Sequence, residues 1–288
     1  MTLCYAQGED GVARNQWPGS IAMLRADQEP AIEKQLVLPR DWELLEECLM
    51  IQQRQGMAHD RQHGMGVFTH ASAGEEEALL RLWGYVKEVN NSATGNWNFQ
   101  RETAHRAAQF IVLESKGCDA AFGPQQAALA NISQYVTAVL NGGPQVGRGD
   151  TLYVRHRVFR KARGSERQQY AQYVHGEDPT GRAAKISKEW RLTSVPPYVR
   201  RHVDGELVRT SALSVRPGDF VEVLVRADVL YHERGGQEKN HVRVDWELAQ
   251  VIRLFSAEQL ESLQRSMAVD EHSGEGNESA NEASGGND

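Results

Sequence analysis

The sequence predicts an α+β chain: an N-terminal helical region, then an antiparallel β-sheet or small, partly open, OB-like β-barrel, then a disordered C-terminal tail. Three observations lead there. The apolar period is near 3.6 between Asp41 and Leu140, then switches to two at Thr151. The helical and strand-like patterns are segregated along the chain, which disfavours an interleaved parallel α/β sheet. Beyond Val269 the chain is Asp, Glu, Ser, Gly, Asn and Ala with a single His272, too little apolar area to offset the entropy of ordering.

These patterns divide the chain into an irregular segment over 1–40, a helical domain over 41–147, a β-rich basic domain with a short closing helix over 148–267, and an acidic tail over 268–288. Four helices are expected in the first half. Asp41 can cap the first, whose stripe is Leu44, Leu45, Cys48, Leu49 and Ile51. Ser72 and Glu75 form a capping box before Leu79, Leu80, Leu82, Trp83 and Val86. The third runs over 100–116 on Ala104, Ala107, Ala108, Ile111 and Val112. The fourth opens with Pro124 in its first turn and ends at Asn141-Gly142-Gly143-Pro144.

Strand-like runs follow at 151–161, 169–175, 184–195, 198–203 and 206–213. The strongest is 219–233, where Val221, Val223, Val225, Ala227, Val229 and Tyr231 share one face and Glu222 is expected on the solvent side. Its partner is 241–255, whose alternation slips at Gln250–Val251 and signals a bulge. Ser256 and Gln259 form a capping box for the closing helix.

Composition narrows the function classes. The chain has 288 residues, a net charge of −7 and three cysteines, Cys4, Cys48 and Cys118. An odd, sparse cysteine set is no disulfide framework, and no apolar run approaches the length of a membrane helix. The expectation is an intracellular protein, cytoplasmic or nuclear, with no membrane partner. The charge is unevenly spread. Residues 148–217 hold 15 Lys and Arg against 7 Asp and Glu, while 266–288 hold 6 acidic residues and no Lys or Arg. Such asymmetry points to a polyanion-binding surface.

Within the basic block, cations and aromatics interleave. Tyr153, Arg155, Arg157, Phe159 and Lys161 would share one face of a strand, and Arg163, Lys188, Arg200 and Arg201 would add cations. Cationic grooves with aromatic platforms grip single strands, because every base has a π face. A second constellation is His59, His63 and His70. On a helix, His59 and His63 at i and i+4 could hold one zinc ion with His70 as third ligand, a pattern that resembles the zincins. Asp60 stands where that family has its general-base glutamate, and Gly56, Gly64 and Gly66 argue for a loop instead. Residues 142–149 have phosphate-loop spacing but put Arg148 in place of the gripping lysine, and read as a linker.

The opening "PGDFVEV" and the return "VRVDWELAQVIRL", within residues 216–254, resemble the C-terminal part of an uncharacterised multicopy protein family of mushroom-forming fungi. That resemblance implies no catalytic residues. Three readings follow from the sequence: a non-catalytic nucleic-acid-binding protein, a scaffold whose basic face meets an acidic protein partner, and a metal-dependent hydrolase built on the histidines. None calls for a cofactor beyond the metal of the third.

Overall fold

The computed structural model describes residues 2–5, 17, 37–38, 42–53, 63–70, 77–143, 149–201, 206–232 and 239–274. The protein is α+β, with few helices and a large, mostly antiparallel sheet that closes partly into a ring. The ring has five strands: β5 (Leu79–Asn90), β6 (Ala108–Glu114), β7 (Leu152–Arg157), β12 (Phe220–His232) and β13 (His241–Phe255). β5 pairs antiparallel with β6, and β6 with β7. β7 meets β13 in parallel through the single register pair Arg155 and Glu247. β13 returns antiparallel to β12, and β12 antiparallel to β5. Numbered along the barrel this is 1-2-3-5-4-1, the connectivity of an OB-like barrel.

The long strands β12 and β13 outrun the barrel and carry further strands. β4 (His63–Thr69) pairs with the far end of β12, and β3 (Leu49–Gln53) with β4. β10 (Tyr198–Arg201) runs parallel to β13, and β11 (Leu207–Arg209) forms a hairpin with β10. β1 (Thr2–Tyr5) lies parallel to β5 and β2 (Val37–Leu38). Strands on both sides of residue 148 thus belong to one sheet.

The valines of β12 line the main core with Leu80, Leu82, Ile111, Leu113, Val154 and Leu248. Helix α2 (Asp119–Val139) joins β6 to β7 and packs Phe122, Leu129, Ile132 and Val136 on that core. The Gln125 side chain accepts from the Trp83 backbone N–H and donates to its carbonyl, and Tyr135 donates to the Leu49 carbonyl. Gly84 allows the close approach, since a Cβ there would lie 3.0 Å from the Phe122 ring. The capping box at Ser256 and Gln259 is formed, and the closing helix α4 (Ala257–Gly274) runs past 267 into the segment expected to be disordered. Residues 275–288 lie outside the described residues. No helix among the described residues is long and apolar enough to cross a membrane.

Two of the four expected helices are strands. The stretch from Leu79 is β5, buried without a break from Leu82 to Val86. A strand covered on both faces reads as a continuous apolar run, which matches helical spacing by accident. The third forms a 3₁₀ turn at Arg101–Arg106 and then β6, with β-branched Ile111 and Val112. The first survives only as α1 (Trp42–Cys48), and the fourth begins at Asp119, so Pro124 lies inside it. The run 169–175 forms no strand, and 184–195 divides into α3 (Arg182–Ile186) and β9 (Trp190–Leu192).

Candidate nucleic-acid interface

β6 and β7 are the second and third strands of the barrel, the face that OB folds use for oligonucleotides. Leu152 and Val154 of β7 and Ile111 and Leu113 of β6 point to the core. The alternate residues Phe110 and Val112, and Tyr153, Arg155 and Arg157, are half-buried on the outside. Phe110 and Tyr153 are diagonal neighbours whose rings lie 5.4 Å apart at 31°. The shared face ends at Arg157. The chain bends at Val158, and Phe159 turns inward: it is 3% exposed and meets Trp97 edge-on at 4.9 Å. Phe159 is therefore a core residue, not a stacking platform. Lys161 follows it in β8 (Phe159–Lys161), which pairs with β9 away from the barrel.

The arginines of this face are neutralised within the sheet. Arg155 contacts Asp245 at 2.5 Å and Arg157 contacts Asp228 at 3.0 Å. Asp245 also takes Arg243 at 2.9 Å, and Arg226 sits between Glu247 at 2.8 Å and Glu77 at 3.6 Å. Four arginines face four carboxylates, so the barrel surface is not the cationic groove expected from the sequence. His156, on the core side of β7, hydrogen-bonds Thr193 at 2.9 Å. Burial lowers its pKa, and nearby Glu247 offsets this in part.

The positive charge lies instead in a lobe beside the β6–β7 face. Residues 97–106, which lead into β6, pack against 158–192, which leave β7, around Trp97, Ala104, Ala107, Val158, Phe159 and Ala183. The two segments hold ten Lys and Arg against five Asp and Glu, a net of +5. All ten are exposed except half-buried Arg191. Arg101 pairs with Glu189 across the segments, and Arg160 holds Glu166 at 2.6 Å. Hydrogen bonds from Arg160 pull the Glu166 pKa down to about 2. Buried Asp178 accepts from the Ala184 N–H in the first turn of α3, whose N-cap is Gly181.

Rings and cations meet twice on this lobe. The Arg182 guanidinium lies 4.5 Å from the Phe99 ring centre, and the Lys188 ammonium 4.6 Å from that of Tyr170. His105 stacks on Trp190 at 6.3 Å. Tyr170 is 56% and Phe99 38% exposed. Phe99 has a φ of 66°, a left-handed conformation that a bulky residue adopts only under local strain.

The nine sequence candidates thus fall in three places. Tyr153, Arg155 and Arg157 are on the barrel, while Phe159, Lys161, Arg163 and Lys188 are in the lobe. Arg200 and Arg201 are on β10, beyond β13. Phe99, Arg101, Phe110 and Arg182 were not singled out. Arg101 and Phe110 fell inside the helix expected over 100–116 and Phe99 just before it, while Arg182 fell between the strand-like runs 169–175 and 184–195. The histidine constellation does not assemble. His63 opens β4 and His70 follows its end, so at about 3.3 Å per residue they stand roughly 20 Å apart and cannot share an ion. His59 lies outside the described residues. Cys118 is half-buried at the N-cap of α2. Gly142 of the phosphate-loop-like run bridges to Asn240, and 144–148 lie outside the described residues.

No protein-family model matches the chain, and no curated protein does. Among solved structures, it is similar to a single-stranded DNA-binding protein from bacteriophage Enc34 in complex with ssDNA, at 11% identity and a TM-score of 0.30 over 66% of this chain and 90% of that one. It is also similar to a single-stranded DNA-binding protein encoded by bacteriophage T7, at 11% identity and a TM-score of 0.31 over 62% of this chain and 91% of that one. The barrel assignment stands on the strand pairing, not on these likenesses.

Proposed function

We propose that this protein is a non-catalytic binder of single-stranded nucleic acid. The observation that carries the reading is the lobe. Exposed cations and exposed rings alternate there beside the second and third strands of an OB-like barrel. Cations over a groove hold phosphates, and rings accept bases by stacking without reading sequence. Phe110 and Tyr153 extend the aromatic surface onto the barrel.

The test is fluorescence anisotropy of a labelled oligothymidylate with full-length protein across a salt series. Binding should weaken as salt rises, because each phosphate contact releases a counterion. Arg182→Ala with Lys188→Ala should flatten the plot of log K against log salt by about 1.4, from a slope of about 0.7 per contact on single strands. Tyr170→Ala or Phe99→Ala should cost about 1–3 kcal/mol with the slope unchanged. Absence of binding at about 50 mM salt, where phosphate contacts are strong, would overturn the reading and leave the lobe as a surface for an acidic protein.

A further inference from the structure

The ion pairs of the barrel face raise a separate question, because an arginine held by a carboxylate has no charge to offer a phosphate. Asp228 and Asp245 are register partners in the antiparallel pair of β12 and β13. Like charges directly opposite one another destabilise a sheet. Both are also shielded from water, with side chains 13% and 2% exposed. The arginines relieve this clash, so the fold itself holds Arg157 and Arg155 in place. A pair of this kind gives little stability that apolar residues could not supply. Its effect lies in what the face presents: the Phe110 and Tyr153 rings beside a surface with no net charge.

We propose that Asp228 and Asp245 set strand discrimination. By holding Arg157, Arg155 and Arg243 in ion pairs, they leave the β6–β7 face able to take the exposed bases of a single strand and unable to grip the phosphate edge of a duplex. This rests on the nucleic-acid reading above and assigns that site its substrate class. A duplex keeps its bases stacked inside and offers phosphates first, so it meets the lobe alone. A single strand meets the lobe with its phosphates and the rings with its bases.

The experiment measures binding of full-length protein to a single-stranded oligonucleotide and to a duplex of the same length, each across a salt series. In Asp228→Asn with Asp245→Asn, the freed Arg155, Arg157 and Arg243 should raise duplex affinity about tenfold or more and steepen its slope by up to about 2.7, from about 0.9 for each new phosphate contact. Single-strand affinity should rise less, so the ratio between the substrates falls. An unchanged ratio in the folded variant overturns the proposal. Because that variant leaves cations unpaired, a second removes the arginines along with the aspartates that hold them: Arg155→Gln, Arg157→Gln, Arg243→Gln, Asp228→Asn and Asp245→Asn. It should keep the wild-type salt slope on single strands. A slope flattened by about 0.7 or more, the loss for one phosphate contact on a single strand, would show that these arginines already hold phosphates, and would overturn the proposal whatever the first variant does. A wild-type protein that binds neither substrate would instead overturn the reading beneath it.

Discussion

Replacing Phe159 by Ala separates a folding role from a binding role. Six buried residues form the lobe core, and three of them, Ala104, Ala107 and Ala183, are alanines. Trp97 and Phe159 are therefore its two large fully buried side chains, with Tyr173, Ile186, Trp190 and Leu192 packed at the edge. Truncating a buried Phe costs about 3–5 kcal/mol, and the edge-on contact with Trp97 adds about 0.5–1.5 kcal/mol beyond area. So small a cluster cannot absorb that loss. The lobe should open locally while the barrel, which has its own core, stays folded. Trypsin reports this directly, because residues 160–191 contain eight Lys and Arg. Cleavage there should be fast in the variant and slow in the wild type, with the melting temperature of the barrel nearly unchanged. Oligonucleotide binding should lose both strength and salt dependence. If Phe159 were a stacking platform, the variant would resist trypsin like the wild type and lose about 1–3 kcal/mol of binding at constant slope. That result would refute the assignment of Phe159 to the core.

Further outcomes concern the barrel. Val223→Asp buries an unpaired carboxylate at a site with no exposure and should destabilise by several kcal/mol in urea unfolding. Glu222→Lys should also be severe, by about 3–5 kcal/mol, because Glu222 is 1% exposed, accepts from the Trp83 indole at 3.0 Å and faces Arg81 at 3.4 Å. A silent Glu222→Lys would place that side chain in solvent. His156 gives a pH signature: burial holds it neutral and lowers its pKa, so the unfolded chain takes up this proton first as pH falls. Stability is then lost as pH drops below about 6.5, and the melting temperature should fall more between about pH 7.5 and pH 5.5 in the wild type than in His156→Asn. Equal falls would mean that burial does not hold His156 neutral.

How much of the fold was legible depends on which faces of each strand are covered. β12 alternates Val221, Val223, Val225, Ala227 and Val229 inward, and its period of two was plain. The bulge near Gln250 was equally legible, and register shifts where Leu224 opposes Gln250 and Val225 opposes Leu248. β5 hid because α2 covers one of its faces. Phe122 and Gln125 pack on Gly84 and Trp83, so Leu82 to Val86 are all buried and alternation disappears. Glu222 was misplaced for a related reason. Period two put it opposite the valines, where solvent was expected, but Arg81 and Trp83 of β5 fill that side. Local pattern finds a strand. Only tertiary contact decides whether its second face is wet.

The candidate site was legible in its residue types and misassigned in its charge. Counting along 148–217 credits β7 with Arg155 and Arg157, because the carboxylates that neutralise them are Asp228 and Asp245, separated by 71 residues from Arg157 and 90 from Arg155. No window on the sequence spans that distance, whereas the barrel closes it through the pairing of β13 with β7 and of β12 with β13. The lobe keeps a net charge of +5 despite the Arg101–Glu189 and Arg160–Glu166 pairs, because its segment leaves the barrel at Val158 and packs on itself and on 97–106. Net charge in a folded chain therefore collects where a segment departs from the sheet. A basic stretch threaded through a closed barrel is the place where its charge is most readily neutralised, so here the departing loop between the third and fourth barrel strands, and not the strand itself, carries the net positive charge.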